Sequence, residues 1–163
     1  KVATCAPTGR AAQNLNSNVV APDGTSRLKA VTIHKLVGIR GDEDIEKKSS
    51  SEESKVGSYD AFIVDEISML DIYVARRLFG EIKLKSPKAR ILLVGDPFQL
   101  PSVAAGRILH DLCDVKARIP FVTLHEVFRQ AAQSRIVTTA HAIRAGNTSV
   151  QELLQPLNDP TKD

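Results

Sequence analysis

Two acids stand side by side at Asp65 and Glu66, directly after the apolar run Ala61-Phe62-Ile63-Val64. A short apolar run rich in β-branched residues reads as a buried strand, so both carboxylates fall at its carboxyl end. Ligands of open α/β sheets bind along that edge. An Asp placed there can hold Mg²⁺, and a neighbouring acid can position or deprotonate an attacking water. The ordinary alternative is a strand end followed by an acidic helix start. A second stretch of the same kind weighs against it. Arg90-Ile91-Leu92-Leu93-Val94 reads as another buried strand and ends at Gly95-Asp96-Pro97-Phe98-Gln99-Leu100-Pro101-Ser102-Val103. Gly95 lets the backbone come close to a ligand. Asp96 reaches the same sheet edge as Asp65 if the strands are parallel. Gln99 can donate to a phosphate oxygen and accept from water at once. A third apolar run, Ile119 to Leu124, is expected to be a strand and is followed by Val127-Phe128-Arg129-Gln130. An Arg beyond such a strand can neutralise charge on a transferring phosphoryl group. Taken alone, Arg129 reads rather as one half of a surface ion pair.

The elements that must position these groups alternate along the chain. Val2 to Ala6 is a candidate strand, broken by Pro7-Thr8-Gly9-Arg10, after which Ala11, Ala12 and Leu15 follow helical spacing. Thr8, the amides at the helix start and Arg10 could grip a phosphate; an ordinary strand-to-helix turn is the other reading. The turn is no P-loop, which needs Gly-x-x-x-x-Gly-Lys-Ser/Thr. Residues 16–29 are polar and carry Pro22-Asp23-Gly24, a loop signal. Thr32 to Gly38 spells a short helix, with Thr32 as cap, Ile33, Leu36 and Val37 inward and Gly38 as the stop. His34 there is either a polar contact to nucleic acid or a capping and packing residue. Asp71 starts a longer helix with Ala75, Leu78, Phe79 and Ile82 on one face. Arg76, Arg77, Lys83 and Lys85 are expected on its solvated faces. The helix around Ile108, Leu109, Leu112 and Cys113 packs behind the second strand. His110 and Cys113 lack the second pair of ligands that a metal site needs. Ser134 caps a last helix, with Ile136, Val137, Ala140 and Ile143 inward and Gly146 as its end. Residues 151–163 form a polar tail or domain boundary.

At 163 residues the chain is expected to form one domain with a real core. No run of eighteen apolar residues suggests a membrane span, and no secretory leader is visible. Two cysteines without Cys-x-x-Cys spacing fit a reducing, cytoplasmic setting. The net charge is +3, but Gly41 to Asp60 holds seven acids against three lysines. That stretch carries −4 of the +3 total, so +7 rests on the remaining surface. Such a balance permits nucleic acid as a partner. The acidic, serine-rich residues 41–58 are expected to form a surface loop or small hairpin. The chain opens on Lys1 and runs straight into a strand, which suggests a fragment of a longer protein.

The alternation of strands and helices predicts an α/β fold: a mostly parallel sheet with helices on both faces. The ordered stretches Ala6-Pro7-Thr8-Gly9-Arg10-Ala11-Ala12, Thr32-Ile33-His34, Val64-Asp65-Glu66-Ile67-Ser68-Met69, Val94 to Val103 and Phe128-Arg129-Gln130 resemble successive motifs of RecD-type superfamily-1 DNA helicases. Those are the motors of exodeoxyribonuclease V alpha subunits and conjugative relaxase-helicases. The resemblance covers Val2 to about Gly146. It implies a RecA-like P-loop NTPase fold truncated at its N-terminus, with residues 1–150 a partial first motor domain. It implies ATP and Mg²⁺ as ligands, with Asp65 at the metal and Glu66 as base for the attacking water. Gln99 would sense the γ-phosphate, with Gly95 and Asp96 beside it, and Arg129 would be the arginine finger. Pro7, Thr8, Arg10, Thr32, His34 and Phe98 would line a single-stranded DNA path. A second RecA-like domain of the parent chain and helicase-nuclease subunits are the implied protein partners, in recombination, repair or conjugation.

Two departures from the family pattern stand out. The phosphate-cradling Walker A loop and the second motor domain are missing from these residues, so the chain alone is expected to hydrolyse no ATP. Residues 41–58 lie where relatives carry a strand-separating hairpin, but their acidic composition does not suit that task. The alternative from another class is a non-catalytic, degenerate P-loop domain that holds DNA or a protein. The presence of Asp65, Glu66, Gln99 and Arg129 together speaks against it. A PhoH-like ATPase is a third option that the Gly95–Val103 run disfavours.

Overall fold

The computed structural model describes residues 1–18, 29–40, 54–114, 119–124, 139–140, 142–143 and 146. The chain divides into two compact units, Lys1–Ile119 and Pro120–Asp163. The first holds β1 (Val2–Ala6), α1 (Gly9–Asn18), β2 (Val31–Thr32), α2 (Ile33–Val37), β3 (Ala61–Val64), α3 (Ile72–Lys85), β4 (Arg90–Leu93) and α4 (Ile108–Asp114). Two short 3₁₀ turns, Val56–Ser58 and Ile67–Met69, precede and follow β3.

The four strands form one parallel sheet in the order β2-β1-β3-β4. Cys5 stands opposite Val64, Val64 opposite Leu93, and Ala6 opposite Thr32. Successive side chains of a strand point to opposite faces. On one face Ala3, Cys5, Phe62 and Val64 join Ile33, Leu36 and Val37 of α2 and Val74, Ala75, Leu78 and Ile82 of α3 in the main core. On the other, Ala6 meets Ala11 and Ala12 of α1 in a smaller alanine cluster. Small residues there let α1 lie close to the strand that leads into it.

Several helix boundaries have a chemical cause. Thr8 Oγ1 accepts from the Ala11 N–H at 3.2 Å and starts α1. Thr32 Oγ1 accepts from Lys35 N–H, and Gly38 in the left-handed region closes α2. Asp71 Oδ1 accepts from both Tyr73 and Val74 N–H and starts α3. The starts at Thr32 and Asp71 and the stop at Gly38 are those the residue types predict.

Four expectations differ from the structure. β4 is an exposed edge strand and not a buried one, with Ile91 and Leu92 open to solvent; its far edge has no neighbour among the described residues. Residues 119–124 lie in no strand; Pro120 removes a ladder donor there. Along α3, Arg77 is not on a solvated face, because it and Lys85 both meet the buried Glu81. In the second unit, Gly146 takes φ +69 and donates to the Ile143 carbonyl, the helix stop expected there. Ala140 and Ile143, expected inward, are exposed. Arg129, Ser134, Ile136, Val137, residues 41–53 and the tail at 151–163 lie outside the described residues.

Cys5 is fully buried in the main core, and burial pushes its thiol from the ordinary 9.0 up to about 12. The folded state therefore holds this proton longer than the unfolded chain. Its contribution to stability is complete below pH 9.0 and is lost as pH rises from 9.0 to about 12. Thermal melts of the parent and Cys5→Ala should show a steeper alkaline loss in the parent. At pH 8 a soluble thiol reagent should leave Cys5 unmodified until the chain unfolds.

Candidate active site

Because the strands are parallel, their carboxyl ends gather on one edge. The Asp65 N–H donates to the Cys5 carbonyl at 3.0 Å, and the Val94 N–H to the Val64 carbonyl at 2.9 Å. This ladder sets the turn Pro7–Arg10, the pair Asp65 and Glu66, and Gly95 with Asp96 side by side at that edge. Thr32, opposite Ala6, ends β2 on the far side of β1.

The turn after β3 is the most constrained backbone there. Glu66 adopts φ 53, ψ 40, and is the one non-glycine residue with positive φ among the described residues. For an L-residue that conformation costs about 1–2 kcal/mol. Three hydrogen bonds hold it. The Glu66 N–H donates to its neighbour's Asp65 Oδ1 at 2.9 Å. The Ile67 N–H donates to the Val94 carbonyl, and the Met69 N–H to the Glu66 carbonyl, each at 3.1 Å. Composition gave no hint of this strain; an acid directly after a strand and before a one-turn 3₁₀ segment is the local signal that accompanies it.

Gly95 has a packing reason. A Cβ there would come within 2.8 Å of Ile67 Cγ2 and 3.2 Å of Leu109 Cδ2. Asp96 builds the turn that follows: its Oδ1 accepts from Phe98 N–H at 3.0 Å and its carbonyl from Gln99 N–H at 3.1 Å. Phe98 and Gln99 are thereby presented at the surface, both exposed.

Of the residues assigned to a DNA path, Thr8 and Thr32 spend their hydroxyls as helix caps. Pro7 and His34 are half-buried, while Arg10 and Phe98 are exposed. The His34 carbonyl accepts from Gly38 and Ile39 N–H, so its backbone closes α2. Asp65, Glu66, Gly95, Asp96 and Gln99 share the β3 and β4 ends. Thr32 and His34 lie beside β1, on the opposite flank.

The donor chemistry suits Mg²⁺. Magnesium is usually held by one or two carboxylates, with waters and substrate phosphates completing its shell. Asp65 uses Oδ1 for the Glu66 amide and keeps its second carboxylate oxygen, with no cation of the chain against it among the described residues. Among those residues no group of three or more His, Cys, Asp and Glu side chains gathers as a metal cage.

The parallel sheet thus carries paired acids and a Gly-Asp-x-x-Gln turn along its carboxyl edge. The family model described as AAA domain matches residues 1–160, and the chain belongs to that family. It is 36% identical over 146 residues to the ATP-dependent RecD2 DNA helicase of Deinococcus radiodurans, covering 90% of this chain and 18% of that protein. It is 32% identical over 157 residues to the RecBCD enzyme subunit RecD of Mycobacterium tuberculosis, covering 90% and 26%. Among solved structures, the Pif1 helicase from Bacteroides in complex with ADP-AlF3 and ssDNA matches with TM-score 0.61 and 25% identity, over 94% of this chain and 38% of that one. The fold is RecA-like. The chain spans about a quarter or less of the length of these two curated relatives. No helix among the described residues is long and apolar enough to cross a membrane.

Proposed function

We propose that these residues form part of the first motor domain of an ATP-dependent DNA helicase, which couples ATP hydrolysis to movement along single-stranded DNA. The observation that carries this reading is the shared edge: Asp65 and Glu66 on β3 lie beside the Gly95–Gln99 turn on β4, tied by the Ile67 to Val94 hydrogen bond. Mg²⁺, when bound, would polarise the phosphates and offset their charge. Asp65 would hold the metal through its second carboxylate oxygen. Glu66, preset by its left-handed backbone, would orient the attacking water and take its proton. Gln99, exposed on the Asp96 turn, would contact the γ-phosphate, and Arg129 would neutralise charge on it. The DNA path would run over the Pro7–Arg10 turn and the start of α2, near Thr32 and His34. A second RecA-like domain of the same parent chain would close over the nucleotide, and further helicase-nuclease subunits could join it. The cytoplasm is the compartment this activity implies.

The phosphate cradle lies outside these residues in this reading, so the chain alone turns over no ATP. ATP hydrolysis should be measured with and without single-stranded DNA, on this chain and on the full-length protein. The expected result is DNA-stimulated turnover by the full-length protein only. DNA-stimulated turnover by the chain alone, or none by the full-length protein, would contradict the proposal.

A further inference from the structure

Between β4 and α4 the chain makes an excursion that begins and ends against the same turn. At its start Gly95 lies on Ile67, with room for no side chain. At its end the Ala105 carbonyl accepts from the Ile72 N–H at 2.9 Å. Gly106 makes that approach feasible. Its φ is +116, and a Cβ there would meet Ile72 N at 2.9 Å and Ile72 Cβ at 3.0 Å. Ser102 tightens the return. Its Oγ lies 2.8 Å from the Ala104 carbonyl oxygen and 3.0 Å from that of Gly106, so one hydroxyl proton gathers the segment into a knot.

The knot completes α3. The first amides of a helix have no partner within it. Asp71 Oδ1 serves two of them, Tyr73 and Val74, while its carbonyl accepts the first regular helix bond from Ala75. Ile72, the first, is served by Ala105. The segment carrying Asp65 and Glu66 is thus clasped twice, at Ile67 and at Ile72, by the two ends of one loop. Gln99 lies in the arc between the clasps.

We propose that Ser102 and Gly106 are positioning residues: the Ser102–Gly106 knot is a strap that keeps Gln99 in register with Asp65 and Glu66. This inference rests on the reading of those three as the hydrolytic site. An arc held at both ends has few conformations; freed at one end it gains many. Gln99 would then wander from the acids without any of the three being changed.

The test uses the full-length protein with Gly106→Ala, Ser102→Ala and Glu66→Gln. It measures kcat and KM for ATP with saturating single-stranded DNA, the melting temperature, and amide exchange at Ile72. Gly106→Ala should lower kcat by about 10²-fold, the scale of a 1 Å misplacement, with KM for ATP little changed and Ile72 exchange accelerated. Ser102→Ala should act in the same direction by less, at an unchanged melting temperature, and it decides the matter if Gly106→Ala does not fold. Unchanged kcat in both variants alongside faster Ile72 exchange would overturn the strap. So would a fall in kcat that only follows a fall in melting temperature. Glu66→Gln separates the two levels. If it stays active, the site reading fails and the strap with it; if it is inactive while both strap variants keep their kcat, the strap alone fails.

Discussion

Glu66→Gln in the full-length protein is expected to lower DNA-stimulated ATP turnover by about 10²–10⁴-fold, the range for loss of a positioned general base. Nucleotide binding should survive, because the amide keeps the shape of the side chain and Asp65 remains. The left-handed backbone at position 66 adds a second arm to the experiment. Glutamine keeps the strain of φ 53, whereas glycine takes that conformation without a Cβ penalty. Glu66→Gly should therefore melt at or above the parent temperature while losing turnover as fully as Glu66→Gln. A position that is strained, stabilised by glycine and needed for rate holds its acid for chemistry and not for folding. Turnover unaffected by either change would remove Glu66 from the site.

The largest effect on stability is expected at Glu81. Its side chain is 4% exposed, and it meets Arg77 Nη2 at 3.5 Å and Lys85 Nζ at 3.2 Å, one helical turn to either side. The Lys85 contact is a charge contact without hydrogen-bond alignment at Oε2. Arg77 is itself nearly buried, at 9%, while Lys85 at 23% keeps more water. Glu81→Ala takes the shared carboxylate from a buried guanidinium and should destabilise the chain by about 3–5 kcal/mol. Lys85→Ala should cost about 0–1 kcal/mol, since a more exposed partner is screened by solvent. Urea denaturation of the three proteins checks both. Equal, small losses would show that Glu81 carries no buried pairing.

Much of the frame was readable before any coordinates. The caps Thr32 and Asp71 and the stop at Gly38 follow from local chemistry, and each sits where its residue type predicts. Register carried the acids and the Gly95–Gln99 turn to one edge, because parallel strands of similar length end together. What pattern could not show was mostly tertiary. Arg77 stands at i,i+4 from Glu81, a spacing the sequence shows; what it does not show is that Glu81 is buried. β4 looked buried because its apolar content says that it can be covered, not that it is. Residues 119–124 have strand composition but carry Pro120, which removes a ladder donor. The clasp of Ala105 on Ile72 joins residues far apart in sequence, and the turn at Glu66 is tied through Ile67 to the Val94 carbonyl just past β4.

Asp65, Gln99 and Arg129 are each expected to serve one bound triphosphate. A crystal structure of the full-length protein with Mg²⁺, ADP and aluminium fluoride, in the presence of single-stranded DNA, measures that directly. The expected result is Asp65 at the metal and Gln99 and Arg129 within hydrogen-bond reach of the fluoride group. Asp65, Gln99 and Arg129 directed at separate places, with the nucleotide bound elsewhere, would contradict it.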